Sequence, residues 1–104
     1  MKRSSVWWVE FDPAIGSEIH KTRPAVIISN DTANRFLARV VVIPLTSNVS
    51  RVYPGEALVT VSGNKNKAMT DQIMSADKSR LREKVSELSE DDMLSKQISG
   101  FFSV

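Results

Sequence analysis

Pro24-Ala25-Val26-Ile27-Ile28-Ser29 contains an unbroken apolar run from Ala25 to Ile28. A strand with one face in water alternates apolar and polar residues, so an unbroken run suits a central strand covered on both faces. A second run, Arg39-Val40-Val41-Val42-Ile43-Pro44-Leu45, is the strongest strand signal in the chain, because branched side chains favour the pleated backbone. Between the two, Asn30-Asp31-Thr32-Ala33-Asn34-Arg35-Phe36 opens with capping residues and predicts one or two helical turns. Upstream, Val6-Trp7-Trp8-Val9-Glu10-Phe11 reads as a first strand, ended by Asp12-Pro13 because proline cannot continue a ladder.

Downstream, Tyr53-Pro54-Gly55 predicts a turn, Glu56–Val61 a strand, and Ser62-Gly63-Asn64-Lys65-Asn66 a loop of turn formers. Residues Lys67–Ala76 predict one or two short strands around Asp71-Gln72. Lys78–Leu81 predicts a short helical turn, and Lys84–Leu88 a final strand. Ser89 then sets a hydroxyl N-cap before Glu90, Asp91 and Asp92, which suit the positive end of a helix dipole. Met93, Leu94, Gln97, Ile98, Phe101 and Phe102 follow near helical spacing and predict one amphipathic C-terminal helix whose apolar face is core or interface. The sum is a mainly β (α+β) chain, a small SH3-like antiparallel barrel with helical additions, expected as one domain over residues 1–104.

Composition narrows the chemistry. There is no cysteine, so disulfides, thiolate catalysis and sulfur-ligated metals are excluded, and one histidine cannot build a His-rich metal site. No metal or other cofactor is expected. No apolar run approaches the ~20 residues of a membrane span, and the basic N-terminus lacks the apolar stretch of a signal peptide, so a cytoplasmic protein is expected. Net charge is only +2, but 13 of the 14 basic side chains lie in residues 1–84, while residues 85–104 carry 4 of the 12 acids. Between Asp31 and Glu56 there is no acid, whereas Arg35, Arg39 and Arg51 lie inside that window. The pattern fits either ordinary surface charge or a front that faces a polyanion.

The segment from Asp12 to Pro24 is longer than the two to five residues a tight hairpin needs and holds Ser17, Glu18, His20, Lys21 and Arg23. A loop that long and polar is expected to touch a ligand.

Five fragments then occur in order: Trp8-Val9-Glu10-Phe11-Asp12-Pro13, Gly16-Ser17-Glu18, Thr22-Arg23-Pro24-Ala25-Val26-Ile27-Ile28-Ser29-Asn30, Pro44-Leu45-Thr46-Ser47 and Asp71-Gln72-Ile73. Together they resemble the MazF/PemK family of toxin endoribonucleases from bacterial toxin–antitoxin pairs. The resemblance runs from Val6 to the last helix. It implies a homodimer of SH3-like barrels that cleaves single-stranded RNA at short sequence motifs without metal. It also implies an antitoxin whose disordered C-terminal segment occupies the RNA groove. Arg23 and Thr46 fall on the family's principal active-site pair, and Ser47 and Gln72 on positions near the substrate. The long loop matches the one that borders the RNA groove.

Two departures matter for mechanism. Some relatives carry a histidine where this chain has Ser17, and His20 does not inherit that role. Some carry an arginine where this chain has Met69. The acid–base scheme of those relatives therefore does not transfer.

The chemistry also stands on the residue types. RNA carries its own nucleophile, the 2′-hydroxyl, and cleavage needs alignment of that hydroxyl and stabilisation of the charge growing on phosphorus oxygens. Arginine suits the second task, because its planar fork binds phosphate oxygens in pairs and stays charged. Arg23 is thus the expected electrostatic residue, and Thr46 the expected hydroxyl donor, with Ser47 assisting. Ser17, Glu18, His20, Lys21, Ser47, Asn48, Asp71 and Gln72 are the expected RNA contacts. Glu18 and Asp71 are candidate bases only with a raised pKa, whereas His20 has a suitable one unperturbed. Trp7, Trp8 and Tyr53 are candidates for stacking on bases. A regular first strand puts Trp7 and Trp8 on opposite faces, so only one is core. A non-enzymatic toxin on the same scaffold, resembling the gyrase poison CcdB, is the alternative. That toxin depends on a C-terminal tryptophan, whereas this chain ends in Gly100-Phe101-Phe102-Ser103-Val104.

Overall fold

The computed structural model describes residues 1–11 and 22–103. The strands are β1 (Ser5–Glu10), β2 (Thr22–Ile27), β3 (Arg39–Thr46), β4 (Ala57–Val61), β5 (Asn64–Ala68), β6 (Met74–Asp77) and β7 (Leu81–Glu87). All pair antiparallel, in the order β4-β5-β3-β2-β1-β7, with β6 added alongside β3. The result is a mainly β, curled half-barrel with a few short helices, consistent with the expected SH3-like class.

The apolar run from Ala25 lies on β2, inside the sheet between β3 and β1. Ala25, Val26, Ile27 and Ile28 are all fully buried. Alternation along the strand sends Val26 and Ile28 into one cluster with Val6, Ile43, Leu45 and Val59. Ala25 and Ile27 enter a second cluster with Val9, Val40, Val42 and Leu81. Each fully buried Val or Ile contributes about 1.5–3 kcal/mol, which is why a strand between two cores reads as continuously apolar. Trp7 packs against the second cluster, whereas Trp8 is 41% exposed, as opposite faces require.

β3 serves two partners. Arg39–Val42 pair with β6 and Leu45–Thr46 with β5. Pro44 lies between the two ladders, and its carbonyl accepts from the Met69 N–H (2.9 Å). A residue without an N–H is tolerated where a strand changes partners. Helix α1 (Asp31–Phe36) is capped by the Asn30 side chain, which accepts from the Ala33 N–H (2.8 Å). Its buried Asn34 donates to the Ser29 carbonyl (2.8 Å), and Ser29 Oγ accepts from the Val41 N–H (3.0 Å), so α1 is tied to β2 and β3 without an orphaned polar group.

Two expectations are corrected. Ser62–Asn66 is not a loop: only Ser62 and Gly63 turn, and Asn64–Ala68 is β5, with Val61 facing Asn64. Ser62 (φ 49°) and Gly63 (φ 83°) are both left-handed, as a two-residue type I′ hairpin turn requires. Turn-forming residues concealed a strand that pairs on both sides. The C-terminal helix is also not continuous but splits into α2 (Glu90–Met93) and α3 (Lys96–Ser99). Ser89 caps α2 as expected, accepting from the Asp92 N–H (3.1 Å). Ser95 is extended (ψ 145°) and starts α3. The break turns both Met93 and Ile98 into the first core and leaves Leu94 exposed. The apolar face is therefore core. Among the described residues no helix is long and apolar enough to cross a membrane.

Candidate active site

The site opens where β2 and β3 part. The Ile28 N–H donates to Val41 O (2.9 Å), and the register runs through Val26↔Ile43 to Ala25↔Pro44. Bonded pairs alternate, so the next bonded position on β2 is Pro24, which has no N–H to give. The ladder stops there. Continuing its register by two residues sets Arg23 across from Thr46, the last residue of β3.

Arg23, Pro24, Leu45, Thr46 and Ser47 line a cavity of about 510 Å³, with Trp8 from β1, Val85 from β7, and Val61, Ser62, Asn64 and Asn66 from the β4–β5 hairpin. Arg23 is held by pairing with Val9 of β1. Among the described residues its guanidinium has no hydrogen-bond or ion-pair partner, although it is half-buried. Thr46 Oγ1 accepts from the Asn48 N–H (3.2 Å), which leaves its own O–H to be donated elsewhere. Ser47 is exposed at the rim. Arrayed together are a cation with no partner among the described residues, three hydroxyls and two carboxamides over an apolar floor: groups that bind a phosphate and the base attached to it.

The other expected residues divide. Asn48 lies next to this cavity, lining a neighbouring one with Ser50, Arg51, Tyr53 and Lys67. Asp71 and Gln72 sit exposed on a 3-10 turn (Thr70–Gln72), where Gln72 Nε2 approaches Met69 Sδ (3.6 Å), and neither lines either cavity. Ser17, Glu18, His20 and Lys21 lie outside the described residues. Among the described lining residues none is an acid or a histidine. Sequence reasoning missed Asn64 and Asn66. The signal was there, since asparagines two apart on a strand share a face, but it was hidden under the expectation of a loop.

Beneath the neighbouring cavity lies a nearly buried ion pair. Lys67 Nζ meets Glu56 Oε1 at 3.1 Å, with side chains 10% and 7% exposed. Glu56 also accepts from the Tyr53 N–H (2.7 Å), and Lys67 donates to Arg51 O (2.7 Å). The Tyr53 N–H, followed by the Lys67 ammonium, holds the Glu56 carboxyl below its ordinary pKa against the opposing effect of burial.

Comparison with known proteins gives one consistent answer. The family model of PemK-like, MazF-like toxins of type II toxin–antitoxin systems matches residues 2–97. The endoribonuclease MazF9 of Mycobacterium tuberculosis is 42% identical over 90 residues, covering 78% of this chain and 76% of that protein. The endoribonuclease MazF of Staphylococcus saprophyticus is 34% identical over 98 residues, 89% of this chain and 82% of that protein. Among solved structures, MazF of Deinococcus radiodurans superposes with a TM-score of 0.79 at 25% identity, covering 99% of this chain and 93% of that one. A mycobacterial endoribonuclease solved in complex with its cognate antitoxin shares the fold, with a TM-score of 0.76 at 22% identity over 99% of this chain and 91% of that one.

Proposed function

The chain belongs to the PemK-like, MazF-like toxin family of type II toxin–antitoxin systems and is a MazF-type endoribonuclease, and we propose that it cleaves single-stranded RNA by 2′-hydroxyl attack, without a metal ion. The oxygen of the 2′-hydroxyl bonds to the adjacent phosphorus and gives up its proton, the bond to the 5′-oxygen breaks, and that oxygen takes up one proton, so the products carry a 2′,3′-cyclic phosphate and a 5′-hydroxyl. The observation that carries this reading is one cavity holding the Arg23 guanidinium, which has no partner among the described residues, beside Thr46 and Ser47. Arg23 neutralises charge on the phosphate oxygens, Thr46 and Ser47 donate to them, and Trp8, Asn64 and Asn66 contact the adjoining nucleotide. The 2′-hydroxyl proton leaves to a base from outside the described lining, for which Glu18 and His20 are the candidates. Asp71 and Gln72 act on flanking nucleotides, because neither lines the cavity.

The chain acts as a homodimer in this reading and is held inactive by an antitoxin segment lying in the same groove. The antitoxin-bound mycobacterial relative and the Deinococcus radiodurans MazE-MazF complexes support such a partner. The family match does not favour the gyrase-binding alternative. Incubation with a long RNA in EDTA, followed by mapping of both new ends, tests the chemistry. Cleavage with 5′-hydroxyl ends is expected. Loss of cleavage in EDTA, or 5′-phosphate ends, overturns it.

A further inference from the structure

We infer that the cavity lined by Asn48, Ser50, Arg51, Tyr53 and Lys67 is a second nucleotide subsite, in which Tyr53 stacks on a base and Arg51 takes the phosphate next to it. The inference rests on the endoribonuclease reading of the neighbouring cavity.

The two cavities are one step apart along the chain. Thr46 and Ser47 line the first, and Asn48 and Ser50 the second. Thr46 faces Lys67 in the β3–β5 ladder, and its hydroxyl takes the Asn48 N–H, so the wall between the cavities is fixed by pairing and a hydrogen bond. The second cavity, about 480 Å³, has the volume of a small-ligand site.

Its parts are arranged for an anionic aromatic ligand. Tyr53 is 53% exposed, yet its backbone is held on both sides: its N–H donates to Glu56 Oε1 (2.7 Å), and its carbonyl accepts from the Glu56 N–H (3.0 Å). The Gly55 carbonyl accepts from Thr70 Oγ1 (2.6 Å) in the same turn. A large aromatic surface in water on a fixed turn has no role in the core; a base that stacks on it loses little entropy to ordering the platform. Lys67 Nζ lies 5.2 Å and Arg51 Cζ 6.0 Å from the ring centroid. Glu56 neutralises Lys67, so the net positive charge of the cluster sits on exposed Arg51. Among the described residues the Arg51 side chain contacts only the Tyr53 ring, with a long approach to Tyr53 Oη (3.5 Å). Asn48 Oδ1 accepts from both the N–H (3.3 Å) and the hydroxyl (2.7 Å) of Ser50. With that oxygen occupied, Asn48 has its amide N–H groups to offer, and they face an acceptor of the base, a carbonyl oxygen or a ring nitrogen.

The test uses the full wild-type chain and RNA oligonucleotides carrying a 2′-deoxy nucleotide at the mapped cleavage site, lengthened one nucleotide at a time on either side. Affinity is expected to rise at one added nucleotide on one side only. Tyr53→Leu should remove that gain, about 5- to 150-fold, while cleaving the shortest substrate at the wild-type rate. Tyr53→Phe should keep it, and Arg51→Gln should reduce the salt dependence of the gain. A gain that survives Tyr53→Leu overturns the subsite, as does a loss of antitoxin-peptide binding with RNA affinity unchanged. A Tyr53→Leu chain that fails on the shortest substrate too, with Tyr53→Phe failing alike, assigns the turn a structural role and also overturns it. Should the wild-type chain cut no RNA, the endoribonuclease reading fails separately. Titration of a mixed-sequence RNA into wild type and Tyr53→Leu then still decides the subsite.

Discussion

Arg23 is a half-buried cation at the mouth of a buried strand, and what distinguishes it from an ordinary strand-edge arginine is the absence of a partner among the described residues. A guanidinium that pairs with nothing among the described residues can be removed at little cost to stability. Arg23→Ala is therefore expected to lower kcat/KM by ~10²–10³-fold, the usual loss on deleting a transition-state donor, with Tm within a degree or two of wild type. Single-turnover cleavage and thermal unfolding of the same preparation check both halves. Thr46→Val should behave differently, because its hydroxyl also caps the Asn48 N–H (3.2 Å). Cleavage should be lost together with ~0.5–1.5 kcal/mol of stability. An Arg23→Ala chain that is fully active, or that unfolds, shows the guanidinium serving the fold rather than the phosphate.

At the scale of elements, the β4–β5 hairpin and the split C-terminal helix are the features that local sequence misreported. Ser62-Gly63 is a two-residue turn with both residues left-handed, and a Cβ at Gly63 meets nothing within 4 Å. Gly63→Ala should therefore cost only the conformational penalty of φ 83°, about 1–2 kcal/mol, measurable as a shift of the urea midpoint at constant m. The hairpin carries Asn64 and Asn66 into the cavity, so the same variant should weaken RNA binding more than a surface substitution does. In the helical segment, Ser89 accepts from the Asp92 N–H (3.1 Å), and Ser89→Ala should cost about 1 kcal/mol through the lost cap. Hydrophobic spacing alone could not show the break at Ser95, because Leu94 and Ile98 lie four apart, as they would in an uninterrupted helix.

For the molecule as a whole, two carboxylates among the described residues are held below their ordinary pKa and so tie stability to acid pH. Glu56 is held below its ordinary pKa of 4.5 mainly by the Tyr53 N–H and then Lys67, and Glu87 by hydrogen bonds from Lys84 and Lys2. Because the folded values are the lower ones, the stabilisation is fully present above pH 4.5 and is lost as pH falls through the depressed values. Urea unfolding between neutral pH and pH 3 should show the decline. Glu56→Gln should be less stable at neutral pH but less sensitive to acid, since its neutral amide does not titrate. A Glu56→Gln chain with an unchanged acid slope rules out this carboxyl as a source of the loss.

How far the sequence reached follows from which forces are local. Central β2 was legible in Ala25–Ile28 because burial on both faces removes alternation, and the caps of α1 and α2 were legible because Asn30 and Ser89 act on backbone within the same turn. The half-barrel class followed from such elements in order. The fragments around Arg23 and Thr46 pointed to the family through residue identity, but not to the distance between the two residues. Tertiary structure alone decided that Pro24 ends the β2–β3 ladder and opens a cavity there, that Asn64 and Asn66 join it, and that Asp71 and Gln72 do not. It alone seated the Glu56–Lys67 pair beneath Tyr53. Those outcomes depend on strand register and on where a ladder stops, which are settled by contacts between residues far apart in the chain, and composition and spacing carry no record of them.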